Sequence, residues 1–96
     1  MITLVAKLKA QPGKETLLAE ACSLLAEEVK QKEEGCIMYL PHVSIKDPTE
    51  IILVEKYTDR DALNNHSQSA HYKLAAGKFK ELLAEPVDIQ MLKEIK

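Results

Sequence analysis

The 96 residues carry 13 basic and 15 acidic side chains, a formal charge of −2 and an isoelectric point near 5.9. That length fits one domain, residues 1–96, and the scattered lysines form no basic stripe, which argues against nucleic acid as the main partner. No apolar run nears the roughly 20 residues of a membrane helix, so no membrane partner is expected either.

The opening stretch, "MITLVAKLKA", alternates. Ile2, Leu4, Ala6 and Leu8 point one way and Thr3, Val5, Lys7 and Lys9 the other, which is the period of a strand. It lacks the basic start, apolar core and cleavage site of a signal peptide, so a soluble cytoplasmic protein is expected. "QPG" at 11–13 breaks the strand. Residues 14–33 then follow a helical period through Leu17, Leu18, Ala21, Cys22, Leu24, Leu25 and Val29, and Gly35 ends the helix. "CIMYLPHVSI" at 36–45 reads as a strand that must lie at an edge or carry a bulge, because Pro41 has no ladder donor. "KDPTE" is a turn and "IILVEKY" at 51–57 a third strand, making a hairpin. Thr58 with Asp61 resembles a capping box opening a short helix from about Asp59 to His66. "HSQS" interrupts it, Ser67 or Ser69 caps a second helix to about Ala84, and Pro86 closes that one. "VDIQMLKEI" at 87–95 alternates again. The order β-α-β-β-α-α-β packs most simply as an α+β, ferredoxin-like fold: four mainly antiparallel strands with helices on one face.

Both faces of the middle strands are apolar. Ile51, Leu53, Glu55 and Tyr57 line one side of the third strand, and Ile52, Val54 and Lys56 the other. The second strand sets Met38 and Leu40 against Ile37, Tyr39, Val43 and Ile45. A sheet with one wet face alternates apolar with polar, and this one does not. The helices cover one face, so the other is expected to pair with a second copy, giving a homodimer with its sheets together.

The cysteines, Cys22 and Cys36, are too few for a disulfide scaffold and have no zinc spacing. They read as reduced thiols packed like small hydrophobes. No phosphate-cradling glycine loop, GxSxG or dinucleotide fingerprint occurs, so no nucleotide or flavin cofactor is expected. Glu55 shares a face with Ile51 and Leu53, where a carboxylate is costly unless paired or protonated. It is either a general acid or base, or the partner of a cation such as Arg60, or a cap for the next helix. His66 and His71 are five residues apart, about 140° on one continuous helix, so they do not share a metal as an i, i+4 pair does. The break at "HSQS" alters that angle, but further ligands are needed, and no metal is expected. His66 is either a proton-transfer group facing a pocket or a junction histidine favoured by a helix C-terminus. His71 reads as surface or dimer edge, or as a substrate contact. Tyr57 and Tyr72 are each a pocket wall or core. Tyr39 and Phe79 are core, and His42 faces either the cavity or solvent.

The segment "EGCIMYLPHVSIKDPTEIILVEKYTDRDALNNHSQSAHY" resembles the antibiotic biosynthesis monooxygenase family. The pattern is Gly35-Cys36 with Tyr39, the Asp47-Pro48 turn, a strand ending in Glu55 and Tyr57, then Ala62-Leu63, His66, Ser69 and His71-Tyr72. The resemblance implies a dimeric α+β barrel with a pocket between sheet and helices. It also implies a cofactor-independent monooxygenase acting on a small quinol-like or other electron-rich aromatic. Glu55 and His66 would be catalytic, with Tyr57, His71 and Tyr72 binding substrate. The family also holds isomerases of small carbonyl compounds and members of no known activity, so an isomerase and a non-catalytic binding or stress-associated dimer stay open. Its haem-degrading branch has an asparagine on strand one, a tryptophan near the helix junction and a histidine about ten residues on. The matching positions here hold Ala6, His66 and Ala76, so haem is not expected. The aromatic after Glu55 is often tryptophan in the family, where this chain has Tyr57.

Overall fold

The computed structural model describes residues 1–95. The chain runs β1 (Ile2–Lys9), α1 (Glu15–Lys32), β2 (Cys36–Val43), β3 (Glu50–Tyr57), α2 (Arg60–Gln68), α3 (Ala70–Leu82) and β4 (Asp88–Lys93). The strands form one antiparallel sheet in the order β2-β3-β1-β4. This is the expected ferredoxin-like α+β arrangement. Pro41 lies on the edge strand, where its missing donor costs the ladder nothing. A register shift falls between Cys36 and Met38, turning Ile37 outward instead of placing it beside Tyr39.

The helices pack on the face formed by Leu4, Ala6 and Leu8 of β1 and by Ile51, Leu53, Glu55 and Tyr57 of β3, all buried. From α1 this core receives Leu18, Ala21, Cys22, Leu25 and Val29, one stripe of a 3.6-residue period. Leu17 and Leu24, counted with that stripe from sequence, lie on the helix's exposed side. Burial pushes the Cys22 thiol up to about 12, so it is inert packing.

Asp59, not Thr58, caps α2: its side chain accepts a hydrogen bond from the Ala62 amide. Thr58 instead donates its amide to the Gly35 carbonyl, which ties the end of β3 to the start of β2. The helix runs two residues past His66, to Gln68, and α3 stops at Leu82 rather than Ala84 because Ala84 pairs its amide with the Lys9 carbonyl.

The opposite face has no helix over it. Across the register, Leu40, Val54 and Val5 form one row and Met38, Lys56 and Thr3 the next, with Leu92 opposite Thr3. Leu40 is 49% and Leu92 42% exposed, so this face is an apolar patch with a polar margin. On β4, Ile89 and Met91 lie on the helix side of the sheet but are also about half exposed, because the helices stop short of that edge.

Gly35 sits where α2 crosses the start of β2. A Cβ there would come 2.6 Å from the Ala62 Cβ, inside any real carbon–carbon contact. Gly35→Ala should therefore destabilise the fold by about 1–3 kcal/mol. Adding Ala62→Gly should restore part of the loss, a coupling that urea unfolding of the single and double variants measures.

Candidate active site

Glu55 is the third inward-facing residue of β3, between β2 and β1 and level with Tyr39 and Leu4. It is 4% exposed. The Tyr57 hydroxyl, two residues along the same face, donates to Glu55 Oε1 at 2.7 Å. Burial raises the Glu55 pKa to about 7. The Tyr57 hydrogen bond pulls it back and the negative charge of Glu33 adds to the rise. Glu55 thus exchanges its proton near neutrality, and no lysine or arginine among the described residues pairs with it.

His66 is 4% exposed and is ringed by all three tyrosines of the chain. The ring centroids of Tyr39, Tyr57 and Tyr72 lie 5.4, 5.5 and 4.9 Å from the imidazole. Its Nδ1 is 2.9 Å from Glu33 Oε2 and 3.1 Å from Oε1. An ionised carboxylate only accepts, so Nδ1 carries the hydrogen and Nε2 keeps its lone pair. Burial lowers the His66 pKa, more than the Glu33 carboxylate raises it, so the ring is neutral at pH 7.

Glu33 is the residue that sequence reasoning missed. It is the C-cap of α1, folded back so that its amide still reaches the Val29 carbonyl. Its carboxylate is nearly buried and takes a second bond from His71 Nε2 at 2.5 Å. The one local signal was its position. An acidic group at a helix C-terminus opposes the macrodipole and needs a partner to stay there.

One cavity of about 70 Å³ joins the inward groups. Glu55, His66, Tyr72, Tyr39, Phe79 and Ser67 line it with aliphatic side chains of β1 and β3. Its exposed lining residues are Ile89 of β4, 53% exposed, and Ser67 of α2. Of the expected site residues, Glu55, His66 and Tyr72 meet at this cavity. Tyr57 is fully buried behind Glu55 and orients it, rather than forming a wall. His71 faces away, toward Glu33 and the surface. His42 is exposed, with Nδ1 2.9 Å from the Leu40 carbonyl oxygen. The about 140° separation of His66 and His71 does not apply, because Ser69 is extended between two helices and both rings converge on Glu33. That convergence brings a third ligand-type side chain, Glu33, to the two histidines.

The helix-backed antiparallel sheet is an α+β, ferredoxin-like fold, with a buried acid and a neutral imidazole on one small cavity in its interior. The profile of the family described as "Antibiotic biosynthesis monooxygenase" matches residues 1–78. The chain belongs to this family. It is 34% identical over 90 residues to "Putative monooxygenase YcnE" of Bacillus subtilis (strain 168), covering 93% of each chain. Two solved structures superpose along almost the whole chain. One is an antibiotic biosynthesis monooxygenase, so named with the qualifier "putative", from Caulobacter crescentus CB15. It has a TM-score of 0.93 and 29% identity, covering 99% of this chain and 90% of that one. The other is Rv0793 from Mycobacterium tuberculosis, with a TM-score of 0.91 and 26% identity, covering 99% and 95%.

The raised Glu55 pKa fixes the sign of a pH effect. Between the usual 4.5 and about 7 the folded chain keeps a proton that the unfolded chain has released. The Glu55 contribution to stability therefore falls as pH rises through that window and levels off above it, while the lowered His66 pKa contributes in the opposite direction below its ordinary 6.5. Glu55→Gln should remove the falling limb and be more stable than wild type at pH 8, by up to about 3 kcal/mol. Denaturant unfolding across pH 4–8 reads this, and parallel curves for the two proteins would contradict it. Tyr57→Phe should move the Glu55 titration upward, followed by carboxyl-carbon NMR, because the lost hydrogen bond favours the ionised form.

Proposed function

We propose that this protein is a cofactor-independent monooxygenase that oxidises a small phenolic or quinol-like substrate with dioxygen. The supporting observation is that Glu55 and the neutral His66 line one cavity walled by Tyr39, Tyr72 and Phe79. His66 Nε2 takes a proton from the substrate, while Glu33 on Nδ1 holds the tautomer and steadies the imidazolium that forms. The electron-rich anion passes an electron to dioxygen directly, the resulting pair combines at a ring carbon, and the His66 imidazolium returns its proton to give a hydroperoxide. Glu55, protonated for part of the time near pH 7, gives its proton to the departing oxygen while His66 Nε2 takes the hydrogen of that ring carbon as a proton, and a proton then returns from His66 to Glu55. In balance, a phenol and dioxygen give a quinone and water. One oxygen atom enters the ring, and the other leaves with two substrate hydrogens.

The cavity is smaller than the ~150 Å³ that admits a benzene ring. A monocyclic substrate therefore enters by displacing the lining side chains Val87 and Ile89, on and just before the exposed β4. With a panel of quinols, wild type should consume oxygen, and Glu55→Gln and His66→Asn should each lower the rate by about 10²–10⁴-fold. Equal background rates in all three folded proteins overturn the reading. Substrate conversion without oxygen uptake assigns the same acid–base pair to an isomerase of a small carbonyl compound. Ligand-induced thermal shifts without any turnover assign a binding protein.

We further propose that two copies pair through the open sheet face. The row Leu40, Val54 and Val5 supports this, since removing apolar area from water is worth roughly 25 cal/mol per Å². The two free cysteines fit a reducing cytoplasmic compartment, and no helix among the described residues is long and apolar enough to cross a membrane. Sedimentation velocity at micromolar concentration should give a dimer for wild type and a monomer for Val54→Glu. A monomeric wild type overturns the pairing.

A further inference from the structure

Beyond the oxidation proposed above, we infer that Glu33, His66 and His71 form a binding site for a divalent first-row transition ion such as Zn²⁺. The ligand atoms of the three side chains lie within 4.8 Å of one another. His66 Nδ1 and His71 Nε2 both approach the same oxygen, Glu33 Oε2, at 2.9 and 2.5 Å. Each ligand comes from a different element: the end of α1, α2 and the start of α3. Two imidazoles and a carboxylate are the donor set of three-ligand zinc sites that keep a fourth position for water.

Tetrahedral bonds of about 2.0–2.1 Å place donor atoms about 3.3 Å apart. An ion thus replaces the two N–H hydrogens with side-chain shifts of about an ångström. The charge balance favours this. Among the described residues Glu33 forms ion pairs with the two histidines alone, so its nearly buried carboxylate has no permanent cation beside it. Access is provided too. Glu33 and His71 line a depression in the surface with Asn65, Ser69, Asp61 and Lys32, opening the site to water on the side away from the cavity. The ion therefore belongs in the wall between cavity and solvent. With the metal on Nδ1, the imidazole hydrogen moves to Nε2, so the loaded protein presents a donor to the cavity and lacks the base that the oxidation uses.

Zinc chloride titrated into EDTA-stripped, full-length protein tests the site through the histidines themselves. Long-range proton–nitrogen spectra of the wild type should show His66 Nδ1 and His71 Nε2 shifting together and saturating at one ion per chain. His42, exposed and distant from the cluster, serves as the internal control and should stay in place. Calorimetry should give one equivalent for wild type. Affinity should fall by about 100-fold in His71→Gln and in Glu33→Gln, with thermal melts in EDTA reporting that each variant is folded. If only His42 responds, if no histidine responds, or if both folded variants bind like wild type, the site does not exist.

Discussion

A carboxylate at the centre of the buried sheet face is the constraint that organises the rest of the interior. Burying Glu55 among leucines would cost several kcal/mol if it stayed charged and unpaired. The fold reduces that cost in two ways. Tyr57 gives it one hydrogen bond from the same strand face, and the surroundings lift its pKa to about 7, so it spends part of its time neutral. Neither remedy removes the penalty fully. A residue that is tolerated but not stabilised in its charged form is one from which a proton is readily gained or lost.

Glu33 complements it. Two carboxylates close enough to influence one another do not both stay ionised at low cost in a dry interior. Here they divide the roles. Glu33 accepts hydrogen bonds from two imidazoles, and its negative charge is one of the causes that lift Glu55. His66 sits between them, with one nitrogen committed to Glu33 and its ring lining the cavity it shares with Glu55. The three tyrosines around the imidazole keep water away from it. Burial pushes the Tyr39 and Tyr57 hydroxyls well above their usual range, so both stay neutral.

The fold was legible because its elements announce themselves locally. Alternation in Ile2–Lys9, a helical stripe through Leu18, Cys22, Leu25 and Val29, and Pro41 on an edge strand each follow from short-range rules. The suspicious position of Glu55 was legible for the same reason. Glu33 was not, because its partners lie 33 and 38 residues away and its own segment, "KQKEEG", reads as a solvated helix end. Tyr57 was placed on the correct face, with pocket wall and core both left open. Residues two apart on a strand share a face, so its hydroxyl reaches Glu55 before it reaches any cavity.

The convergence at Glu33 depends on one residue of the stretch "HSQSAHY". Ser69 is extended, at φ −68° and ψ 150°, so α3 starts in a new direction rather than continuing α2. Its hydroxyl donates to the His66 carbonyl at 2.7 Å and accepts from the Tyr72 amide at 3.2 Å, closing one helix and opening the next. A single serine thus satisfies backbone groups at two helix ends that would otherwise be orphaned. Because α3 is reoriented there, adjacent residues serve opposite sides of the wall. Tyr72 turns to the cavity and His71 to Glu33. On an unbroken helix His66 and His71 would diverge by about 140°, and no carboxylate could hold both. The cluster of two histidines therefore exists because the helix was interrupted between them, and the interruption is encoded in the capping chemistry of Ser69.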